Sequence, residues 1–335
     1  MCQYINMIKQ AKTYSTFPIF IVGNPRSGTT LFAVLMDRHS DICVPPETHF
    51  YDQFLPKYRE ETHNRTNEQL VKSAFEIDRI KDLGLVYEEV LQHYELHGSR
   101  PDDLLISLLT CYAKKRNKKI LGEKTPRHIR HVDEIMTAFP HAKIICVMRD
   151  GRDSVRSILK APWGMANKPR RLEDLCVAWS HNAKNCLNFH QKYPNNFTIL
   201  YYERLLRKPE EEMKRLCDFV NISYEERMLD QNIQSDAVPN WELDWKGKAQ
   251  RTLDTSRIEA WRKSKNIAQI WTMNIMMGKM LTKHGYRDTN LTNCPMHIKL
   301  KLFLIKTYYN SFYYSLTKLL SKIVRSTEFS IMTKK

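Results

Sequence analysis

Phe17-Pro18-Ile19-Phe20-Ile21-Val22-Gly23-Asn24-Pro25-Arg26-Ser27-Gly28-Thr29-Thr30-Leu31 reads as a short apolar run, a glycine-bounded turn and the start of an amphipathic segment. Ile19 to Val22 are bulky and mostly β-branched, as in a buried strand. Gly23 to Gly28 permit a turn with unusual backbone angles, and Leu31, Val34, Leu35 and Met36 recur at helical spacing. A strand, a tight turn and a helix in that order aim several backbone N–H groups and a helix N-terminus at one point, which suits a phosphate or sulfate. The spacing of Gly23 and Gly28, followed by Thr29 and Thr30, is that of a phosphate-binding P-loop with one departure: Thr29 stands where a Walker A motif has lysine. That lysine reaches the β- and γ-phosphates of a nucleoside triphosphate, so its absence argues against ATP or GTP as the donor. Arg26, inside the loop, offers a positive charge to a shorter anion.

Three further strand ends carry charge. Ala142 to Met148 is an almost continuous apolar run, as in an interior strand, and breaks abruptly into Arg149-Asp150-Gly151-Arg152-Asp153-Ser154-Val155-Arg156-Ser157. Arg149 falls at the strand tip and Ser157 in the second turn of the next helix, so both can face one anion. A rival reading makes Asp150 the magnesium ligand of a Walker B strand, but this strand end carries more positive than negative charge. Two anion cradles at two parallel strand ends imply a ligand with two separated anionic groups, the shape of a nucleotide phosphorylated at its 5′ and 3′ positions. Asp41 to Val44 predicts a second short strand, ending in Pro45-Pro46-Glu47-Thr48-His49-Phe50. Its prolines exclude helix and hold Glu47 at the mouth of a strand end, where ligands of open α/β sheets lie. Spacing alone favours a solvated loop carboxylate for Glu47, and leaves His49 as readily a surface or packing histidine as a catalytic one. Lys119 to Gly122 predicts a third strand, followed by Glu123-Lys124-Thr125-Pro126 and a helix from Pro126 through Phe139.

Composition bounds the rest. The 335 residues allow one large domain or two ordinary ones, and 42% hydrophobic residues allow a sizeable core. The 53 Lys and Arg against 37 Asp and Glu give a net charge of +16, of which +7 lies from His297 onward, so the body is only moderately basic. That balance favours anionic ligands or surfaces. The body lacks the signature of a zinc finger, an RNA-recognition motif or a homeodomain, and nucleic acid is not an expected partner. The eight cysteines are scattered without paired spacing, several in apolar segments, which implies a reducing compartment and no metal site. Lys9 and Lys12 interrupt the N-terminus before any apolar run reaches signal-peptide length, so the expected location is cytoplasmic.

Taken together, these motifs resemble the sulfotransferase superfamily that uses 3′-phosphoadenosine 5′-phosphosulfate (PAPS), and more narrowly its branch of bacterial, tyrosylprotein and heparan-type glycan sulfotransferases. Pro25-Arg26-Ser27-Gly28-Thr29-Thr30-Leu31 resembles the family's 5′-phosphosulfate loop. The segment from Val147 to Ser157 resembles its 3′-phosphate segment, with Arg149 and Ser157 at the contact positions. Pro46-Glu47-Thr48-His49-Phe50 resembles the segment of its catalytic glutamate, and Glu123-Lys124-Thr125-Pro126 that of its lysine. Tyr201-Tyr202-Glu203-Arg204-Leu205 resembles its Tyr-Glu-Asp-Leu strand and helix, with Arg204 in place of the aspartate, and implies Tyr202 near the adenine. Arg257-Ile258-Glu259-Ala260-Trp261-Arg262 resembles the segment that closes over the nucleotide, where Lys246, Lys248 or Arg262 are candidates for the 3′-phosphate. The match runs from about Phe17 to Tyr286.

The resemblance implies an α/β fold: a P-loop-like three-layer sandwich with a central, mainly parallel sheet, helices on both faces and a helical insertion at about 51–117. It implies a sulfotransferase domain over 1–290, with PAPS as co-substrate and no metal. Glu47 becomes the base for an acceptor hydroxyl, while Lys124 and Arg26 stabilise charge on the transferred group. Ser27, Gly28, Thr29 and Thr30 complete the donor loop. The acceptor stays open among glycan, tyrosine and lipid or small-molecule hydroxyls, anionic acceptors included. A P-loop kinase and a non-catalytic nucleotide- or polyanion-binding protein are the alternatives. Residues 291–335 form a basic amphipathic extension, suited to an anionic membrane surface, to the body of the protein, or to the second subunit of a homodimer.

Overall fold

The computed structural model describes residues 17–60, 66–161, 171–242, 253–286 and 294–308. Two compact units are formed, one by the described parts of Met1–Arg149 and Asn182–Ile258, the other by those of Asp150–His181 and Glu259–Lys335.

The first unit is built on five strands: β1 (Ile19–Gly23), β2 (Ile42–Cys43), β3 (Ile120–Lys124), β4 (Lys143–Met148) and β5 (Phe197–Tyr201). Their order is β2-β3-β1-β4-β5, and every pairing is parallel. Parallel strands buried on both faces read as continuous apolar runs, which is why β1 and β4 are so plain in the sequence. Alternate residues serve the two faces. Ile19, Ile21, Ile145 and Val147 pack with Phe32, Val34 and Leu35 of α1 (Thr29–Asp37). On the other face Phe20 stacks on Phe139, with ring centroids 6.2 Å apart.

Among the described residues between β2 and β3, helices predominate from Phe50 on. The main ones are α2 (Asn67–Phe75), α3 (Tyr87–His97) and α4 (Asp103–Lys115). Thr66 and Gln69 form a reciprocal capping box at the start of α2. The helix expected from Pro126 through Phe139 is instead broken in two. Pro126–Arg130 is a tight 3-10 turn, and α5 begins only at Val132 and ends at Ala138. The tighter turn brings the His128 ring back onto Glu123, with Nδ1 donating to Oε2 at 2.9 Å.

Further along lie α6 (Gly151–Leu159), α7 (Leu172–Lys192), α8 (Tyr202–Arg207), α9 (Pro209–Phe219), α10 (Ile267–Lys283) and α11 (Met296–Tyr308). In the second unit Asp150 caps α6 and grips Arg152, at 2.7 Å from Nη2. The Arg152 guanidinium in turn lies 3.8 Å from the centre of the Trp261 ring. That bidentate pair engages the carboxylate which a Walker B reading needs for magnesium. From the tail, α11 seats Leu302 and hydrogen-bonds Lys306 Nζ to the Ile275 carbonyl of α10 at 2.7 Å, while Met296, Leu300, Phe303 and Leu304 stay exposed. Residues 309–335 lie outside the described residues. Among the described residues no helix is long and apolar enough to cross a membrane.

Candidate active site

Parallel register brings the charged strand ends to one edge. Ile21 pairs with Lys124, Gly23 with Val147, and Met148 with Tyr201. The β1 turn, Lys124, Arg149 and Tyr202 therefore all follow the carboxyl ends of neighbouring strands, the place where open α/β sheets bind ligands.

The turn itself is shaped for an anion. Arg26 adopts a left-handed φ of 67° and Gly28 one of 97°, the Ser27 N–H closes on the Asn24 carbonyl at 3.1 Å, and α1 begins at Thr29. The first N–H groups of that helix have no intrahelical acceptor and point out of its end. A Cβ on Gly28 would come within 2.3 Å of the Tyr202 ring, so only glycine lets the loop lie this close. Ser27 and Thr29 are buried, and Ser27 Oγ and Asn24 Nδ2 have no hydrogen-bond partner among the described residues. Buried polar groups left this way call for a ligand or water.

Cations crowd the same loop. Arg149 Nη2 donates to the Arg257 carbonyl at 2.8 Å, and its guanidinium lies 4.5 Å from the centre of the Tyr202 ring. Burial first, then the repulsion of Arg149 and Arg257, pushes the Arg26 guanidinium below its ordinary pKa. An anion bound in the loop relieves that repulsion. Tyr202, expected at the adenine, is buried between the loop and Arg149. Arg257 was missed as an individual residue, although its segment stood out in the sequence. Ser157 sits half-buried in the second turn of α6, in the second unit. Arg262 pairs with Glu259, Nε to Oε2 at 3.0 Å, while Lys246 and Lys248 lie outside the described residues.

The strap after β2 supplies the other half of the site. Lys124 Nζ donates to Glu47 Oε1 at 2.7 Å, with the lysine side chain 1% exposed and the glutamate 11%. His49 stands on the other side of the same carboxylate. Its Nε2 is 3.2 Å from Glu47 Oε2, and its Nδ1 is 3.1 Å from both oxygens of Asp52. Carboxylates only accept, so both ring nitrogens carry hydrogen and His49 is an imidazolium. Burial lowers its pKa, but the hydrogen bonds to Asp52 and Glu47 outweigh that and raise it to about 9. Asp52 is correspondingly held below the usual carboxylate range despite its burial, chiefly by His49. The sequence left His49 undecided. The Glu-x-His-x-x-Asp spacing was the available signal, legible only once the strap is known to turn into a helix at Phe50–Phe54.

These features define an α/β protein with a cation-lined glycine loop at its central strand and a buried carboxylate, ammonium and imidazolium array beside it. The sequence profile of the sulfotransferase family matches residues 18–226. The chain belongs to that family. It is 26% identical over 215 residues to a putative protein-tyrosine sulfotransferase of Caenorhabditis briggsae, covering 63% of this chain and 68% of that one. Against protein-tyrosine sulfotransferase 1 of Danio rerio it is 27% identical over 212 residues, which cover 63% of this chain and 55% of the relative, so it spans about half of that protein. The fold is likewise that of the sulfotransferase domain of the Synechococcus olefin synthase, with a TM-score of 0.56 at 20% identity, covering 83% of this chain and 98% of that domain.

Proposed function

We infer that the chain moves a sulfuryl group from PAPS to an acceptor hydroxyl, with Glu47 as the general base. The observation that carries this reading is the 2.7 Å contact between Lys124 Nζ and Glu47 Oε1 on the strand edge that also bears the anion loop. The donor supplies an activated sulfuryl group whose bond to the bridging phosphate oxygen breaks as the acceptor oxygen bonds to sulfur, releasing adenosine 3′,5′-bisphosphate. Ser27, Gly28, Thr29 and Thr30 would hold the 5′ end through backbone N–H groups and hydroxyls, and Arg149 the 3′-phosphate.

Glu47 accepts the proton of the incoming hydroxyl, an effect worth ~10²–10⁴-fold in typical general-base catalysis. His49 and Lys124 aim the carboxylate from either side. Lys124 and Arg26 then face the charge that grows on the leaving oxygen, where losing one preorganised donor commonly costs ~10²–10³ in rate. The missing Walker lysine at Thr29 supports a donor other than a nucleoside triphosphate. Among the acceptors left open by the sequence, the similarity to protein-tyrosine sulfotransferases favours a tyrosyl peptide. The described cysteines are buried free thiols, which supports a reducing compartment.

Calorimetric titration with adenosine 3′,5′-bisphosphate, beside ATP with magnesium, tests the donor. Tight binding of the bisphosphate alone, followed by transfer from labelled PAPS to a tyrosyl peptide, a glycan or a lipid headgroup, is expected. Binding of only ATP with magnesium would overturn the reading.

A further inference from the structure

The first N–H groups of a helix need acceptors from outside it. In the strap after Glu47 three consecutive ones find side chains. The His49 N–H donates to Thr125 Oγ1 at 3.2 Å, the Phe50 N–H to Thr48 Oγ1 at 3.2 Å, and the Tyr51 N–H to His128 Nε2 at 3.1 Å. All three acceptors donate onward to one carboxylate. Thr48 Oγ1 and Thr125 Oγ1 reach Glu123 Oε1 at 2.9 and 2.7 Å, and His128 Nδ1 reaches Glu123 Oε2 at 2.9 Å. Glu123, Thr48, Thr125 and His128 are all 0% exposed.

Polarity in this network has a single solution. A carboxylate only accepts and a backbone N–H only donates, so both hydroxyl hydrogens point at Glu123, and His128 is a neutral imidazole with its hydrogen on Nδ1. Asp52 Oδ1, 3.8 Å from His128 Nε2, is too far to compete with the Tyr51 N–H. Reversing any member sets a buried donor against a donor, which costs the full desolvation of both.

The clamped residues are the chain neighbours of the reactive pair. Thr48 and His49 follow Glu47, and Glu123 and Thr125 flank Lys124. We propose that Glu123 is a positioning residue, which through Thr48, Thr125 and His128 fixes the backbone on both sides of the Glu47–Lys124 contact and so sets the distance between base and ammonium. The role rests on the sulfotransferase reading above.

Thr125→Val is the first test, because it removes the hydroxyl with little change of shape. The variant is expected to fold and to bind adenosine 3′,5′-bisphosphate as the wild type does, with KM for PAPS little changed. Its kcat is expected to fall by ~10²-fold, the usual consequence of misplacing catalytic groups by about 1 Å. Thr125→Ser, which restores the hydroxyl, should recover most of that loss. In a Glu47→Gln background Thr125→Val should cost nearly nothing further, since its effect runs through the Glu47 carboxylate. Nitrogen NMR of the wild type should show His128 as the neutral Nδ1–H tautomer. Wild-type kcat in a folded Thr125→Val variant, or an imidazolium at His128, would overturn the clamp. A wild type that binds no bisphosphate and transfers no sulfuryl group would overturn the functional reading instead, while the tautomer measurement still decides the network.

Discussion

Glu47 Oε1 and Lys124 Nζ meet at 2.7 Å although 77 positions separate them in the chain. The contact follows from parallel pairing of β2 with β3, in which Ile42 aligns with Ile120 and Cys43 with Leu121. With the strands in that register, four residues beyond Cys43 and three beyond Leu121 bring the two side chains to the same edge. A carboxylate that holds an ammonium on one side and an imidazolium on the other is fixed in orientation before any acceptor arrives.

Removing either member should separate chemistry from binding. Glu47→Gln and Lys124→Ala are expected to keep bisphosphate affinity within a few-fold and to lose ~10²–10⁴ in kcat, the span typical of a lost base or charge stabiliser. Single-turnover transfer from labelled PAPS, measured beside bisphosphate calorimetry, checks this. Wild-type turnover in Glu47→Gln would remove the base assignment.

Arg149→Ala should show the reverse pattern. Its guanidinium lies over Tyr202 and holds the Arg257 carbonyl, so its loss removes a charge and loosens the 3-10 turn Thr255–Arg257. Bisphosphate affinity is expected to drop by at least ~10-fold, equivalent to about 1.4 kcal/mol. Calorimetry at two salt concentrations reads it, and an unchanged Kd would take Arg149 out of the donor site.

Gly28→Ala puts a methyl group at 2.3 Å from the Tyr202 ring and at a φ of 97°. Overpacking and backbone strain each cost roughly 1–3 kcal/mol, so the midpoint of unfolding should fall together with bisphosphate affinity. Thermal unfolding of Gly28→Ala with and without the bisphosphate tests this, and ligand-induced stabilisation equal to that of the wild type would count against the loop.

Protonation of His49 should show as a pH dependence of stability. Its pKa is raised from 6.5 to about 9 in the folded protein. The stabilisation is therefore fully present below about pH 6.5 and is lost as pH rises towards 9, by up to about 3 kcal/mol. Comparing urea unfolding of wild type and His49→Gln from pH 6 to 9.5 should give two curves that converge with rising pH. Parallel curves would mean that His49 is not charged in the native state.

The sequence by itself determined the strands, the loop and the charged residues at the strand ends. Those signals are local: the β-branched run of Ile19 to Val22, Gly23 and Gly28 bounding a turn, and prolines that stop helix before Glu47. They also placed the insertion between the second and third strands and favoured a donor other than a nucleoside triphosphate, through Thr29. The tertiary structure alone decided the rest. It broke the helix expected from Pro126, because His128 is needed at Glu123 and at the Tyr51 N–H. It buried Tyr202 against Gly28 and Arg149, and it gave Arg262 a carboxylate partner in Glu259. Most of all, it turned His49 from an ambiguous residue into a charged one and Glu123 from an unremarked one into a hub. The Glu123 outcome depends on groups brought within hydrogen-bond reach by strand register, and a hydrogen bond formed across 75 or more residues leaves no periodic trace in the chain. The His49 outcome depends instead on the helical turn at Phe50–Phe54, which folds Asp52 back onto the ring beside Glu47.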